Sequence, residues 1–395
     1  RPIKKHYNLN MNYEIVRKKL ERSLYRLRVQ FLPNYVKKRN GNKRIFISYI
    51  IEPLKRRNDE VFFQGHQNHQ ETVIIEDIVN ELNLSYVFNH YSLPINFVKG
   101  KFDVVFGLEP NFGNICQSNP LAAKIYYATG AYYKHQNNQV RQRTEEFKKK
   151  YNIEYPYVRL VEEHDSCEIA DTIIQIGSDH TIETYPEHLR SKIILIDQTC
   201  HNFKEIDLDA KIKKTSKSDY IWFGSFGSIL KGLDLVLEFF LTNTHLTLHV
   251  VGPVEEKFLS VFQDRLNRTN NIYLYGFMNM DSPEFRQIAL KCAFLIYPSA
   301  SEGGWPGSAL NLQKLGVIPI LSKWASGPEI KDLGFLLPDL SVESIAEAVS
   351  WSQSLSDTNI ADLSLKNHEA VVSKHNKERF KGQLKSNLEY IINNR

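Results

Sequence analysis

Short apolar runs alternate with amphipathic stretches along almost the whole chain, and the alternation is gone through twice. In the first series, "KRIFISYII" (43–51), "KFDVVFGL" (101–108), "KIYYATG" (124–130), "DTIIQIG" (171–177) and "KIILID" (192–197) read as strands. Helical stretches separate most of them. In 68–83, Val73, Ile74, Ile78 and Leu82 share one side, and 137–151 is a second helix. Strands that alternate with helices imply a parallel sheet covered on both faces. The series then stops at "DLDAKIKKTSKSDY" (207–220), a lysine-rich segment without an apolar stripe, which reads as a crossing between domains. Behind it the pattern restarts, with strands at 220–225, 246–252, 271–277, 294–299 and 317–322. Helices are expected at 231–243, 254–268, 282–292, 308–315 and 341–355, and a last one at 376–393.

The expectation is an α/β chain with two Rossmann-like, doubly wound domains facing each other across a cleft. Its parts are a basic helical arm (1–44), an N-terminal domain (45–210), a C-terminal domain (211–375) and a last helix (376–395) that crosses back. A chain of 395 residues suits two such domains. Apolar content of 42% and charged content of 24% are those of a soluble globular protein, and no run reaches the length of a membrane-spanning helix. Cys116, Cys167, Cys200 and Cys292 are too widely spaced for a local metal site and read as buried thiols in a reducing, cytoplasmic setting.

The net charge of +5 is unevenly placed. Residues 1–44 hold fourteen Lys and Arg against Glu14 and Glu21, a formal +12, so the rest of the chain is near −7. Val16, Leu20, Leu24, Leu27 and Phe31 fall on one helical stripe within that arm. Two readings stand: a helix lying on an anionic membrane face, or a helix packed on its own domain with a solvated basic side. Nucleic acid is disfavoured as a partner, because no base-stacking aromatics are interleaved with the charges.

Candidate chemistry gathers at strand ends of the second series. "FGSFGSILKGLD" (223–234) brings Gly224, Ser225, Gly227 and Lys231 to a turn just before a helix. Free N–H groups at a helix start, with a lysine beside them, suit a diphosphate. Gly252 closes the next strand in "VVGP". "PSASEGGWPGSALNLQKLGVIPI" (298–320) places Glu302, Gly303, Gly304 and Trp305 at another strand tip. A carboxylate accepts from sugar hydroxyls, and amides beside it donate to anionic oxygens. Each motif also has a plain structural reading, a tight turn in the first case and a glutamate that caps its own loop in the second.

In order, the "G-x-x-G…KG-x-D" loop, "VVG", "N-I-x-x-x-G", "PS-x-x-EG" and "G-x-x-P-I" make residues 221–320 resemble the nucleotide-sugar domain of GT-B fold glycosyltransferases of the retaining family 4 type. The resemblance implies that Lys231 holds the diphosphate of the sugar donor, that Glu302 contacts the sugar, and that backbone from Gly303 to Trp305 lines the pocket. Two departures stand out. The second glutamate of the family pattern is missing: position 310 is Leu, and Asn311 falls nearest to its ribose-binding role. The family's arginine in the first loop is also missing, with Ser225 and Ser228 there instead.

The first half resembles the acceptor domain more loosely. Gly65, in "FFQGHQNHQETV", would approach the phosphate across the cleft, with His66 beside it. Thr129 and His135 follow the strand after which the family places a histidine, and Glu109 and Asn111 lie on another strand-end loop. The implied reaction moves a sugar from a nucleoside-diphosphate sugar to a hydroxyl of a glycan or lipid-linked acceptor, with retention and without a cofactor or metal. The alternatives are a sugar-nucleotide epimerase of the same fold, or a non-catalytic sugar-nucleotide-binding domain of a larger synthase.

Overall fold

The structure, a computed structural model, describes residues 35–37, 41–63, 66–95, 98, 100–201 and 207–394. The helix expected in the basic arm and Gly65 lie outside the described residues. Two sheets organise the chain. The first has seven strands: β1 (Tyr35–Lys37), β2 (Arg44–Tyr49), β3 (Ser85–His90), β4 (Val104–Gly107), β5 (Ala123–Ala128), β6 (Thr172–Ile176) and β7 (Ile193–Ile196). Their order is β1-β3-β2-β4-β5-β6-β7, and only β1 runs antiparallel to its neighbour. The second has six parallel strands: β8 (Ser216–Phe223), β9 (Thr247–Val251), β10 (Ile272–Gly276), β11 (Cys292–Tyr297), β12 (Ile318–Leu321) and β13 (Phe335–Leu336), in the order β10-β9-β8-β11-β12-β13.

The central strands of both sheets are buried on both faces, as parallel strands must be when helices cover each side. Ile45, Phe46 and Ile47 of β2 and Phe294, Leu295 and Ile296 of β11 are fully buried. The four cysteines are buried and unpaired.

Several elements depart from the expected pattern, each for a local reason. The helix Asp357–Lys374 buries Ile360, Ser364, Asn367 and Val371, a helical stripe of which half is polar. Ser364 Oγ donates to Gly316 O at 2.7 Å and Asn367 Nδ2 to Leu333 O at 2.7 Å, so hydrogen bonds replace the apolar signal on that face. The lysine-rich segment 207–220 contains a helix, Leu208–Lys214, and the start of β8. Lys211 is wholly buried there. Its ammonium donates to Ala289 O at 2.7 Å and to Cys292 O, which satisfies the carbonyls at the end of the helix Pro283–Lys291.

Chain order and packing also part company. The last helix, Lys377–Asn393, buries Phe380, Leu384, Leu388 and Ile392 in the core of the first sheet. The helix Tyr133–Tyr151 leaves the first sheet but packs on the second half. Phe147 stacks on Phe258, with ring centres 5.5 Å apart, and Arg143 forms a two-pronged pair with Asp234 at 2.9 and 2.7 Å. Tyr151 bonds Glu238 further along the same strap.

Candidate active site

The order of the second sheet decides where a ligand site can lie. From β8 the chain steps outward through β9 and β10; from β11 it steps the other way through β12 and β13. β8 and β11 are neighbours, so the loops leaving their carboxyl ends diverge and open a crevice. Lys231 comes from the first loop and Glu302 from the second, and their side chains meet at 2.7 Å. Tyr297, the last residue of β11, completes the group. Its hydroxyl accepts from Lys231 Nζ at 2.6 Å and donates to the same Glu302 oxygen at 2.9 Å, while Ser299 Oγ donates to that oxygen at 3.0 Å.

The pair is nearly dry: Lys231 is 4% exposed. Burial, with the charge of Arg159, draws the Lys231 ammonium below its ordinary range, and Glu302 opposes that shift. Burial alone would raise the Glu302 carboxyl, but Lys231, Arg159 and the hydrogen bonds outweigh it and hold it below the ordinary value. The carboxylate is therefore kept ionised beside a lysine.

The glycine-rich loop is committed differently from the expectation. Gly227 N–H donates to Glu255 Oε1 at 2.6 Å, and Ser228 gives its N–H at 3.3 Å and its hydroxyl to the other Glu255 oxygen. Gly224 N–H donates to Val251 O at 3.1 Å and Gly252 N–H to Gly276 O at 2.7 Å. Ser225 is exposed. An internal carboxylate and neighbouring strands thus hold the amides that the sequence reading turned toward a phosphate. Asn311 is likewise engaged, accepting from His201 N–H at 2.8 Å, a contact that pins the chain after β7 to the second half.

The Glu302 loop touches the first half directly. A Cβ on Gly304, whose φ is +78°, would lie 2.8 Å from Ser178 N, and one on Gly303 would lie 3.0 Å from Gly130 Cα and 3.1 Å from Thr129 O. Only glycine permits that approach. Where the sequence implied a cleft, the strand-end loops of the two halves are in contact at this point. Gln67, next to the exposed His66, reaches Gly307 in the same way. Trp305 is buried in the core of the second half. His135 sits edge-on to Trp324 with ring centres 4.5 Å apart, and burial lowers its pKa.

The first sheet has a divergence point of its own. β2 and β4 are neighbours whose chains step to opposite sides, and their following loops carry Glu52 and Glu109. Glu52 Oε1 lies 3.7 Å from His90 Nε2, and Glu109 Oε1 lies 3.9 Å from His164 Nε2. Tyr126 donates to Glu109 at 2.6 Å, Tyr91 stacks on His90, and Tyr133 lies against His164. Burial lowers the pKa of both histidines, against the neighbouring carboxylates. Asn111 is turned to another use, donating to His90 O at 2.9 Å and Leu93 O at 2.7 Å.

Tyr297, Arg159, Glu255, Glu52, His90 and His164 were not among the residues expected from sequence. Tyr297 had a usable signal: it is the polar end of a strand, in "FLIYPS", directly before the loop that carries Glu302. The others approach through folding alone.

Two parallel-sheet domains in contact at their strand ends define the GT-B fold, and solved structures bear this out. The chain is similar to HepE of Anabaena, solved with UDP-glucose: TM-score 0.53, 11% identity, 88% of this chain and 99% of that one. It is also similar to the N-terminal domain of Candida albicans trehalose-6-phosphate phosphatase: TM-score 0.51, 11% identity, 91% and 99% covered. A third is WaaG, a glycosyltransferase involved in lipopolysaccharide biosynthesis: TM-score 0.50, 12% identity, 86% and 98% covered. A scan against protein-family models gives no match, and neither does a search of curated proteins. At these identities the likeness is one of fold.

Proposed function

We propose that the chain is a glycosyltransferase that moves a sugar from a nucleoside-diphosphate sugar to a hydroxyl of a glycan or lipid-linked acceptor, with retention and without a metal. The observation that carries this reading is the Lys231–Tyr297–Glu302 group at the divergence point of the second sheet, beside the strand ends of the first. Breaking the bond to the diphosphate leaves negative charge on the leaving group. A buried ammonium stabilises that charge far better than water does. Glu302, held ionised, accepts from the hydroxyls of the sugar and fixes its orientation.

The acceptor half fits a neutral polyol. Carboxylates at Glu52 and Glu109 accept hydroxyl protons, and the faces of Tyr91 and Tyr133 offer apolar surface to a sugar ring. The fold neighbours lend support: one was solved with UDP-glucose, and another is a glycosyltransferase involved in lipopolysaccharide biosynthesis. Basic residues 1–44 would bring the chain to an anionic membrane face where lipid-linked acceptors reside. No helix among the described residues is long and apolar enough to cross a membrane.

One observation favours a non-catalytic sugar-nucleotide-binding domain: Asn311 and the amides of Gly227 and Ser228 are already engaged within the chain. Incubation with a panel of nucleoside-diphosphate sugars, with and without oligosaccharide acceptors and with EDTA, decides between the two. Release of the nucleoside diphosphate, reduced roughly a hundredfold by Glu302→Gln, supports transfer. Binding without turnover supports the second reading, and interconversion of the sugar without acceptor would instead mean an epimerase.

A further inference from the structure

One cation, Arg159, reaches the glycine-rich loop beside the Lys231–Glu302 crevice from the opposite half. Arg159 lies on the loop after the helix Tyr133–Tyr151, a segment that the sequence assigns to the first domain. Its side chain lies across the glycine-rich loop of the second half. A Cβ at Gly227, φ +101°, would fall 2.4 Å from Arg159 Cδ, so the glycine is what lets the arginine pass. Arg159 Nη1 donates to Phe226 O at 3.4 Å, a long bond that leaves most of its donors free.

Three features separate this arginine from an ordinary surface residue. First, its backbone is left-handed, with φ +76°, in a residue other than glycine. Such a conformation is costly and persists only where the surroundings impose it. Here Gln136 Nε2 donates to Arg159 O at 2.8 Å, and Asn137 exchanges two 2.8 Å bonds with Val161. Both partners stand on a helix that the Arg143–Asp234 pair locks to the second half. Second, among the described residues no carboxylate lies within ion-pair distance of Arg159, although Arg143 has two such partners and Arg265 one. Third, its charge is felt by Lys231, Tyr297 and Glu302 together.

We propose that Arg159 is a diphosphate-binding residue, a second cation that the N-terminal half contributes to the leaving group held by Lys231. This rests on the sugar-donor reading above. With the amides of Gly227 and Ser228 occupied by Glu255, the cations that the described residues bring to this loop are Lys231, paired with Glu302, and Arg159, one from each half. A guanidinium spans neighbouring phosphate oxygens, which a lone ammonium cannot do. The diphosphate subsite is then complete only while the strap 133–165 lies on the second half, so leaving-group binding and domain contact depend on each other.

The test uses the full chain, with UDP and UMP as probes in isothermal titration, and the variants Arg159→Ala, Arg159→Lys and Arg159→Gly. The expected result is roughly tenfold weaker UDP binding in the Ala and Gly variants, with UMP changed little and Lys restoring part of the loss. Glycine relieves the left-handed backbone, so Arg159→Gly should also melt higher than the parent while binding UDP more weakly. A purely structural strut behaves otherwise: Arg159→Gly would melt lower and lose UDP and UMP affinity alike, which overturns the proposal. Unchanged UDP affinity in every variant overturns it too, while leaving the sugar-donor reading intact. If the parent chain binds neither UDP nor any other nucleoside diphosphate, that reading falls and this inference with it.

Discussion

The two divergence points of this molecule are built to the same plan and filled with opposite chemistry. In the second sheet, the loops after β8 and β11 bring together Lys231, Tyr297 and Glu302, a buried ion pair within one hydrogen-bonded group. In the first sheet, the loops after β2 and β4 bring Glu52 and Glu109 to His90 and His164, with tyrosines between them. Burial keeps those imidazoles toward the neutral form, whereas Glu302 is kept charged. The lesson is one of division: a buried ion pair at one divergence point, and imidazoles kept toward the neutral form beside carboxylates at the other, which on the proposed reading would meet the leaving anion and the attacking hydroxyl respectively. One loop serves both, since 152–165 carries Arg159 to the first region and His164 to the second.

The largest effect should come from separating the regions. Arg143→Ala leaves Asp234 buried without its partner, which costs roughly 3–5 kcal/mol. We expect a large fall in melting temperature and loss of UDP protection in a thermal-shift assay. An unchanged melting curve would mean that the strap does not join the halves.

A second experiment sharpens the contrast between carboxylates. Glu71, at the start of the helix Asn68–Glu81, is enclosed between Tyr49, the last residue of β2, and Thr199, just after β7. Burial raises its pKa from 4.5 to about 7. The folded state thus binds this proton more tightly than the unfolded state, so the contribution is full below pH 4.5 and is lost as pH rises toward 7. The loss is on the order of 3 kcal/mol. Glu71→Gln should remove that slope and be the more stable protein at pH 8, measured by denaturant titration at several pH values. An unchanged slope in the variant would show that Glu71 is not the group that titrates there.

The smallest effect probes the acceptor side alone. His164→Gln should lower transfer roughly tenfold or more, and flatten the acid limb of the pH profile, since burial lowers the His164 pKa, while leaving UDP affinity unchanged. Weakened UDP binding would erase the distinction between the regions.

Much of the fold was legible because alternation of apolar runs is a local property. β2, β4 to β7 and β8 to β12 correspond to runs readable in sequence. β3, Ser85–His90, has only Tyr86, Val87 and Phe88 between polar ends, too short an apolar run to read as a strand. The helix Asp357–Lys374 hides its buried face behind Ser364 and Asn367. Of the candidate site, Lys231 and Glu302 were legible because each sits in a glycine-marked loop directly after an apolar strand. Arg159 was not, because nothing within "YPYVRLVEEH" indicates which half its side chain will meet.

By itself, the sequence determined the two α/β halves and the strand-end loops that hold Lys231 and Glu302, since periodicity and glycine placement act over a few residues. Only the tertiary structure decided that Lys231 and Glu302 share a proton-bridged contact with Tyr297. It alone placed Lys211 inside the protein and laid a helix from the first half on the second. Those outcomes depend on which strands become neighbours. A hydrogen bond or ion pair forms only when the whole sheet brings its partners within about 3 Å, a condition that no local run of residues encodes.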